Sequence, residues 1–168
     1  MLPLDLADGR AVHRLLAETK PDVIVHTAAS TNPDDCERDR GLAFRVNVKG
    51  TEHLVRFAEK IHAKLIFIST DLVYDGLRGN YAEEDPPNPL NYYAETKLKG
   101  EGLVARGCED FVIFRMSLLY GWGNGINGSF TDEDPRVKGL FHMGGSERTN
   151  RYELGLRFCE VFGSRRSF

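Results

Sequence analysis

The stretch Asp22–Ala29, DVIVHTAA, crowds β-branched residues into a run of strand length with no helical period. Such a run suits a strand buried on both faces of a parallel sheet. KLIFIS at residues 64–69 has the same character, as does DFVIFRMSLLYG at 110–121, which leads into a glycine-rich segment. Helical patterns lie between these runs. Val12, Leu15 and Leu16 share one face of residues 8–20, with Asp8 as cap and Pro21 closing the segment. From Leu42 to Ile61 the apolar residues Phe44, Val48, Leu54, Val55 and Ala58 recur at helical spacing, interrupted by Gly50, a residue that in such a place marks close packing. Residues 89–106 read as a helix with Asn88 as N-cap, Pro89 in the first position and Gly107 beyond the end. STNPDDCE after the first strand reads as a turn-rich loop. Asn150 and Glu153 have capping-box spacing ahead of LGLRFCEVF.

Strands alternating with helices of this length predict βαβ units, a parallel sheet and an α/β fold. Ligands of such sheets sit outside the carboxyl ends of the strands. TAAST, STD and SLLYGWG, which follow the three strands, are therefore the segments to inspect. The segment TDLVYDGLRGNYAEEDPPNPL, residues 70–90, is rich in turn residues, and a loop of that length in a compact domain is usually functional.

Bulk properties narrow the field. A chain of 168 residues with 41% apolar and 28% charged residues has the balance of one globular domain. A formal charge of −3 with mixed signs supplies no electrostatic reason to expect nucleic acid or an anionic membrane as partner. No run reaches the roughly 20 apolar residues of a membrane span, and the start lacks signal-peptide character, so the expected location is cytoplasmic. Cys36, Cys108 and Cys159 are widely spaced and read as buried or incidental thiols, not as a metal site.

Tyr93 and Lys97 stand four residues apart and share a helix face. A free phenol has a pKa near 10, and a nearby ammonium favours its ionised form, so the pair suits proton transfer. The lysine can also hold ribose hydroxyls of a nucleotide. Thr70, ending a strand, offers a hydroxyl to a reacting carbonyl oxygen, and Asp71 an acceptor to a substrate hydroxyl. The plain readings are weighed beside these. His26 inside a strand reads as a hydrogen-bonded core histidine, Glu83, Glu84 and Asp85 as a solvated acidic loop, Asp75–Gly76 as a turn, and Gly144–Gly145 as a weak anion-loop signal. Tyr120 and Trp122 suit substrate contact and loop packing equally.

Taken together, VIVHTAAS, FRVNVKGT, LIFISTDLVYDG, NPLNYYAETKLKGE and FRMSLLYG resemble the extended short-chain dehydrogenases/reductases. Within them the chain looks most like the dTDP-4-dehydrorhamnose reductase group, which includes the regulatory beta subunit of methionine adenosyltransferase. The resemblance runs in order through residues 4–130, and GLFHMGGSERTNRYELG is similar to the family's C-terminal part. It implies a Rossmann-type doubly wound sheet in residues 1–130 and the C-terminal part of a small substrate-binding region in 131–168. It also implies hydride transfer from NADPH or NADH to a keto sugar, with Thr70, Tyr93 and Lys97 as the catalytic set and Tyr93 as proton donor. Asp5 and Leu6 match a turn near the adenine, and Ala28, Ala29 and Ser30 a loop beneath the cofactor, with Ser69 beside them. Tyr93 and Lys97 count as cofactor contacts too. Substrate contacts fall on Thr70, Asp71 and Leu118, the last standing where the rhamnose reductases carry tryptophan. No metal is implied, and a homodimer is left open. The alternative within the same resemblance is a nucleotide-binding interaction subunit with little turnover, against which the intact Thr70, Tyr93 and Lys97 speak.

A dinucleotide site of this kind needs a first strand and a glycine-rich turn, and no such segment precedes Asp5. Residues 121–139 also pass too quickly from a mid-fold motif to a late one. The expectation is that on the order of a hundred residues of the family's domain are missing, with a discontinuity between about Phe130 and Val137.

Overall fold

The computed structural model describes residues 4–117 and 137–144. Within them four parallel strands form one sheet in the order β1 (Val23–His26), β2 (Lys64–Thr70), β3 (Phe111–Met116) and β4 (Gly139–Met143). The long helices are α1 (Gly9–Thr19), α4 (Gly50–Ile61) and α5 (Tyr92–Gly107). The short α2 (Pro33–Arg38) and α3 (Arg40–Ala43) precede a π-helical turn at Phe44–Lys49 that runs into α4. The expected α/β architecture is observed. β4 falls inside the region expected to serve the substrate, 131–168, yet it belongs to the same sheet.

Local chemistry explains the element boundaries. The Asp8 carboxylate caps α1 by accepting from the amides of Arg10 and Ala11, and Lys20 ends it in the left-handed conformation. The segment read as a loop after β1 contains α2, capped by Asn32 with Pro33 at its first turn. Six residues are too few for an apolar period to show. α5 starts at Tyr92, not at Pro89, because the Asn91 side chain is the cap, accepting from the Ala94 amide at 2.9 Å. Asn88 instead donates its backbone amide to the Val73 carbonyl and its side-chain amide to Asp75.

One core lies between the sheet and α1, α4 and α5, built on Val12, Leu54, Phe57, Leu65, Phe67, Val104 and Ile113. Gly50 and Gly100 allow close approaches within this core. A Cβ on Gly50 would meet Leu6 Cβ at 2.9 Å, and one on Gly100 would meet the Phe67 ring at 2.7 Å. The opposite face carries a smaller cluster around Ile66, Val112 and Phe114. The expectation that β1 is buried on both faces is corrected there. Val23 and Val25 remain 45% and 42% exposed, because among the described residues helices cover only the face bearing Ile24 and His26.

Candidate active site

Thr70 ends β2 and, through its hydroxyl, caps the short 3₁₀ turn Asp71–Val73, accepting from the Leu72 amide at 3.3 Å. Tyr93 lies in the first turn of α5, whose start is pinned twice: by Asn91, and by Glu37 of α2, which accepts the Tyr92 amide at 2.7 Å. These two anchors place the Tyr93 phenol close enough to the Thr70 hydroxyl for that hydroxyl to influence its titration. Burial pushes the phenol above its ordinary range, Cys36 and Asp71 add to this, and the nearby Thr70 hydroxyl opposes it. Tyr93 is thus kept protonated at neutral pH, as a proton donor requires.

Lys97, one turn further on, is 3% exposed and sits 4.1 Å from the centroid of the Phe67 ring. Burial lowers its ammonium from 10.5 to about 8, and the carboxylate of Glu101 acts against that. The expected lowering of the Tyr93 phenol is not found, because burial raises it, whereas the Lys97 charge does act on His26. His26 is the buried, hydrogen-bonded histidine expected, pushed down to about 3 by burial and then by Lys97. Its Nε2 lies 2.9 Å from the Thr51 hydroxyl. That hydroxyl donates its one hydrogen to the Asn47 carbonyl at 2.6 Å, which leaves Nε2–H as donor in the histidine bond.

Asn47 organises the other wall and was not singled out from the sequence. Buried in the π-helical turn, it accepts from the Ser30 amide at 2.7 Å and donates to the Ser30 carbonyl at 3.0 Å and to Thr96 Oγ1 at 2.8 Å. Thr96 in turn donates to the Tyr93 carbonyl at 2.6 Å. One side chain therefore joins the loop after β1 to the turn that carries Tyr93, and π turns of this kind are frequent at functional sites. The signal available in sequence was a polar residue amid the apolar positions Phe44 and Val48, just ahead of Gly50.

The remaining expected residues are placed as follows. Ala28 is exposed, Ala29 and Ser30 are half-buried, and all three follow the carboxyl end of β1. Asp5 accepts the Ala7 amide at 2.9 Å in a local turn, and Leu6 packs on Gly50. Ser69 points into a buried network, donating to Glu101 at 2.5 Å. Asp71 is exposed beside Thr70. Leu118, Tyr120, Trp122 and Cys159 lie outside the described residues, as does the expected discontinuity between about residues 130 and 137. The acidic loop is not merely solvated: Glu83 accepts the His142 amide at 2.8 Å, and Asp85 pairs with Arg78. Cys36 and Cys108 are free and buried. No described helix is long and apolar enough to cross a membrane.

A parallel sheet with helices in the connections between its strands, bearing polar side chains at the carboxyl ends of those strands, defines a Rossmann-type α/β domain. A family model described as the RmlD substrate binding domain matches residues 2–132, and the chain belongs to that family. It is similar to methionine adenosyltransferase 2 subunit beta of Bos taurus, 32% identical over 200 aligned positions that take in 95% of this chain and 60% of that one. Among solved structures it is similar to a dTDP-4-dehydrorhamnose reductase ortholog from Clostridium acetobutylicum, with TM-score 0.82, 28% identity, 95% of this chain covered and 69% of that one. It is also similar to dTDP-4-dehydrorhamnose reductase from Bacillus anthracis in complex with NADP, with TM-score 0.68, 36% identity, and coverage of 72% and 44%. The chain spans about 60% of the length of the first curated relatives it matches. The 200 aligned positions outnumber its 168 residues, so the bovine relative has segments within the aligned range that have no counterpart here.

Proposed function

We propose that the chain carries the catalytic part of an NADPH- or NADH-dependent reductase acting on the keto group of a nucleotide-activated sugar. The observation that carries this reading is the convergence of the Tyr93 phenol on Thr70 at the carboxyl end of β2, with the Lys97 ammonium one turn along the same helix. The dinucleotide fits the residues present. Ala28, exposed, and Ala29, half-buried, are small residues at the carboxyl end of β1, and Lys97 carries a charge and three N–H donors for ribose hydroxyls. When bound, the reduced nicotinamide supplies a hydride to the carbonyl carbon and is oxidised. Thr70 donates to the carbonyl oxygen and orients it. Tyr93 passes its O–H proton to that oxygen, which completes the alcohol, and the phenolate recovers a proton from solvent. Burial keeps the phenol in the protonated form that donates.

A second reading is favoured by one observation, the similarity to a protein named as a subunit of methionine adenosyltransferase 2. In it, the same cleft holds nucleotide within an assembly and turns over little. Oxidation of NADPH or NADH against a panel of nucleotide-linked keto sugars separates the two. The reductase oxidises cofactor with at least one sugar, and Tyr93→Phe lowers that rate by about 10² or more. Cofactor binding without oxidation by any sugar selects the subunit, and an undiminished rate in Tyr93→Phe removes the tyrosine from the reaction.

A further inference from the structure

Tyr93, Lys97 and Glu101 succeed one another at intervals of four along α5 and form one row on the helix face turned to the sheet. Beneath that row the contacts are mostly apolar: Gly100 lies against Phe67, and Lys97 covers the same ring. Apolar contact is non-directional, so it sets how closely a helix lies on a sheet but only weakly how far it slides or rolls. The directional contact is at Glu101. Arg115, on β3 and 5% exposed, donates from Nε to both carboxylate oxygens of Glu101 at 3.1 and 3.2 Å and from Nη2 to one of them at 2.7 Å. Ser69, next to Thr70, donates to the same carboxylate. The remaining guanidinium nitrogen donates to the Tyr74 hydroxyl at 2.5 Å and to the Glu83 carbonyl at 3.4 Å.

We propose that Arg115 is a positioning residue, tying α5 and the loop from Tyr74 to Asp85 onto β3 so that Tyr93 is held against Thr70. A forked, charge-assisted pair specifies geometry as well as energy. A buried ion pair contributes little net stability against neutral replacements of similar volume, and its retention fits a role in placement. Neither residue reaches the reacting atoms. The consequence for turnover rests on the reading of Tyr93 as proton donor, whereas the placement itself does not.

The test replaces both charges, Arg115→Met together with Glu101→Gln, which leaves Ser69 an acceptor and neither partner of the pair with a stranded charge. Protein labelled with ¹³Cζ-tyrosine reports the titration of Tyr93, assigned by its loss in Tyr93→Phe, with thermal unfolding as the control for folding. In a double variant that unfolds within a few degrees of the parent, the Tyr93 midpoint is expected to fall toward the ordinary phenol value of about 10. Amide exchange over Ala94–Lys97 should quicken at least about tenfold as that turn opens more readily. A folded double variant with the parent's Tyr93 titration and exchange overturns the proposal. If the double variant does not fold, Arg115→Lys keeps the charge and loses the fork, and the same two measurements decide. An inert parent enzyme would count against the reductase reading alone, because neither readout uses turnover.

Discussion

The ammonium of Lys97 stands 4.1 Å from the centroid of the Phe67 ring, inside the domain core and on the helix face that bears Tyr93. A cation over an aromatic face gains about 0.5–2 kcal/mol, which offsets only part of the cost of burying the charge. The site therefore carries an ammonium that the fold by itself would discard.

Replacing that lysine should separate stability from function. Its midpoint falls from 10.5 to about 8 on folding, so between those values the unfolded chain binds more protons and stability rises with pH. Lys97→Met is expected to be more stable than the parent at pH 7, with the difference shrinking as pH is raised from 8 through 10.5, and to bind NADPH more weakly. Urea unfolding of both proteins at pH 7 and pH 10 measures this, and a pH-independent difference would contradict it.

His26 provides the matching prediction in acid. Its imidazole drops from 6.5 to about 3, so its contribution to stability is complete above pH 6.5 and is lost as pH falls toward 3. In ¹H–¹⁵N spectra the ring should remain neutral, protonated at Nε2, at pH 5. His26→Gln should unfold with a weaker pH dependence than the parent between pH 6.5 and 4. An imidazole already charged at pH 5 would be inconsistent with its burial beside the Lys97 ammonium.

Asn47→Leu should cost about 2–3 kcal/mol, since the Ser30 amide and carbonyl lose their partner in a partly buried site. The loop at Ala28–Ser30 loosens as a result. Weaker NADPH binding in titration calorimetry, alongside a lower denaturation midpoint, is the expected pair of results. Unchanged binding would detach this loop from the cofactor.

Gly100→Ala places a methyl group 2.7 Å from the Phe67 ring. Overpacking of that kind costs about 1–3 kcal/mol, against a gain of up to about 1 kcal/mol in helix propensity. The net effect is destabilising. Adding Phe67→Leu should recover part of the loss, and a double-mutant cycle with no coupling would refute the contact.

The Tyr93–Lys97 pair, the three β-branched strands, the Asp8 cap and the close packing at Gly50 were all legible in the chain. Each is a local property: side-chain spacing against a helical or extended period, or a cap within a few residues of the amides it serves. The same locality misled at Asn88. Two asparagines three residues apart both suit a cap, and only the folded contacts of Asn88 with Val73 and Asp75 leave the role to Asn91.

Tertiary structure decided everything that depends on partners distant in sequence. β4 exists as a strand through its ladder with β3 across a long connection. Arg115 meets Glu101 from 14 residues away, and Asn47 meets Thr96 from 49. The direction of the Tyr93 shift reversed for the same reason: i and i+4 spacing puts the lysine on the right face, but the burial that raises the phenol comes from the packing of separate elements. A sequence prescribes which side chains can share a face, while the dielectric around them and the partner each one finds are set only when separate elements pack together.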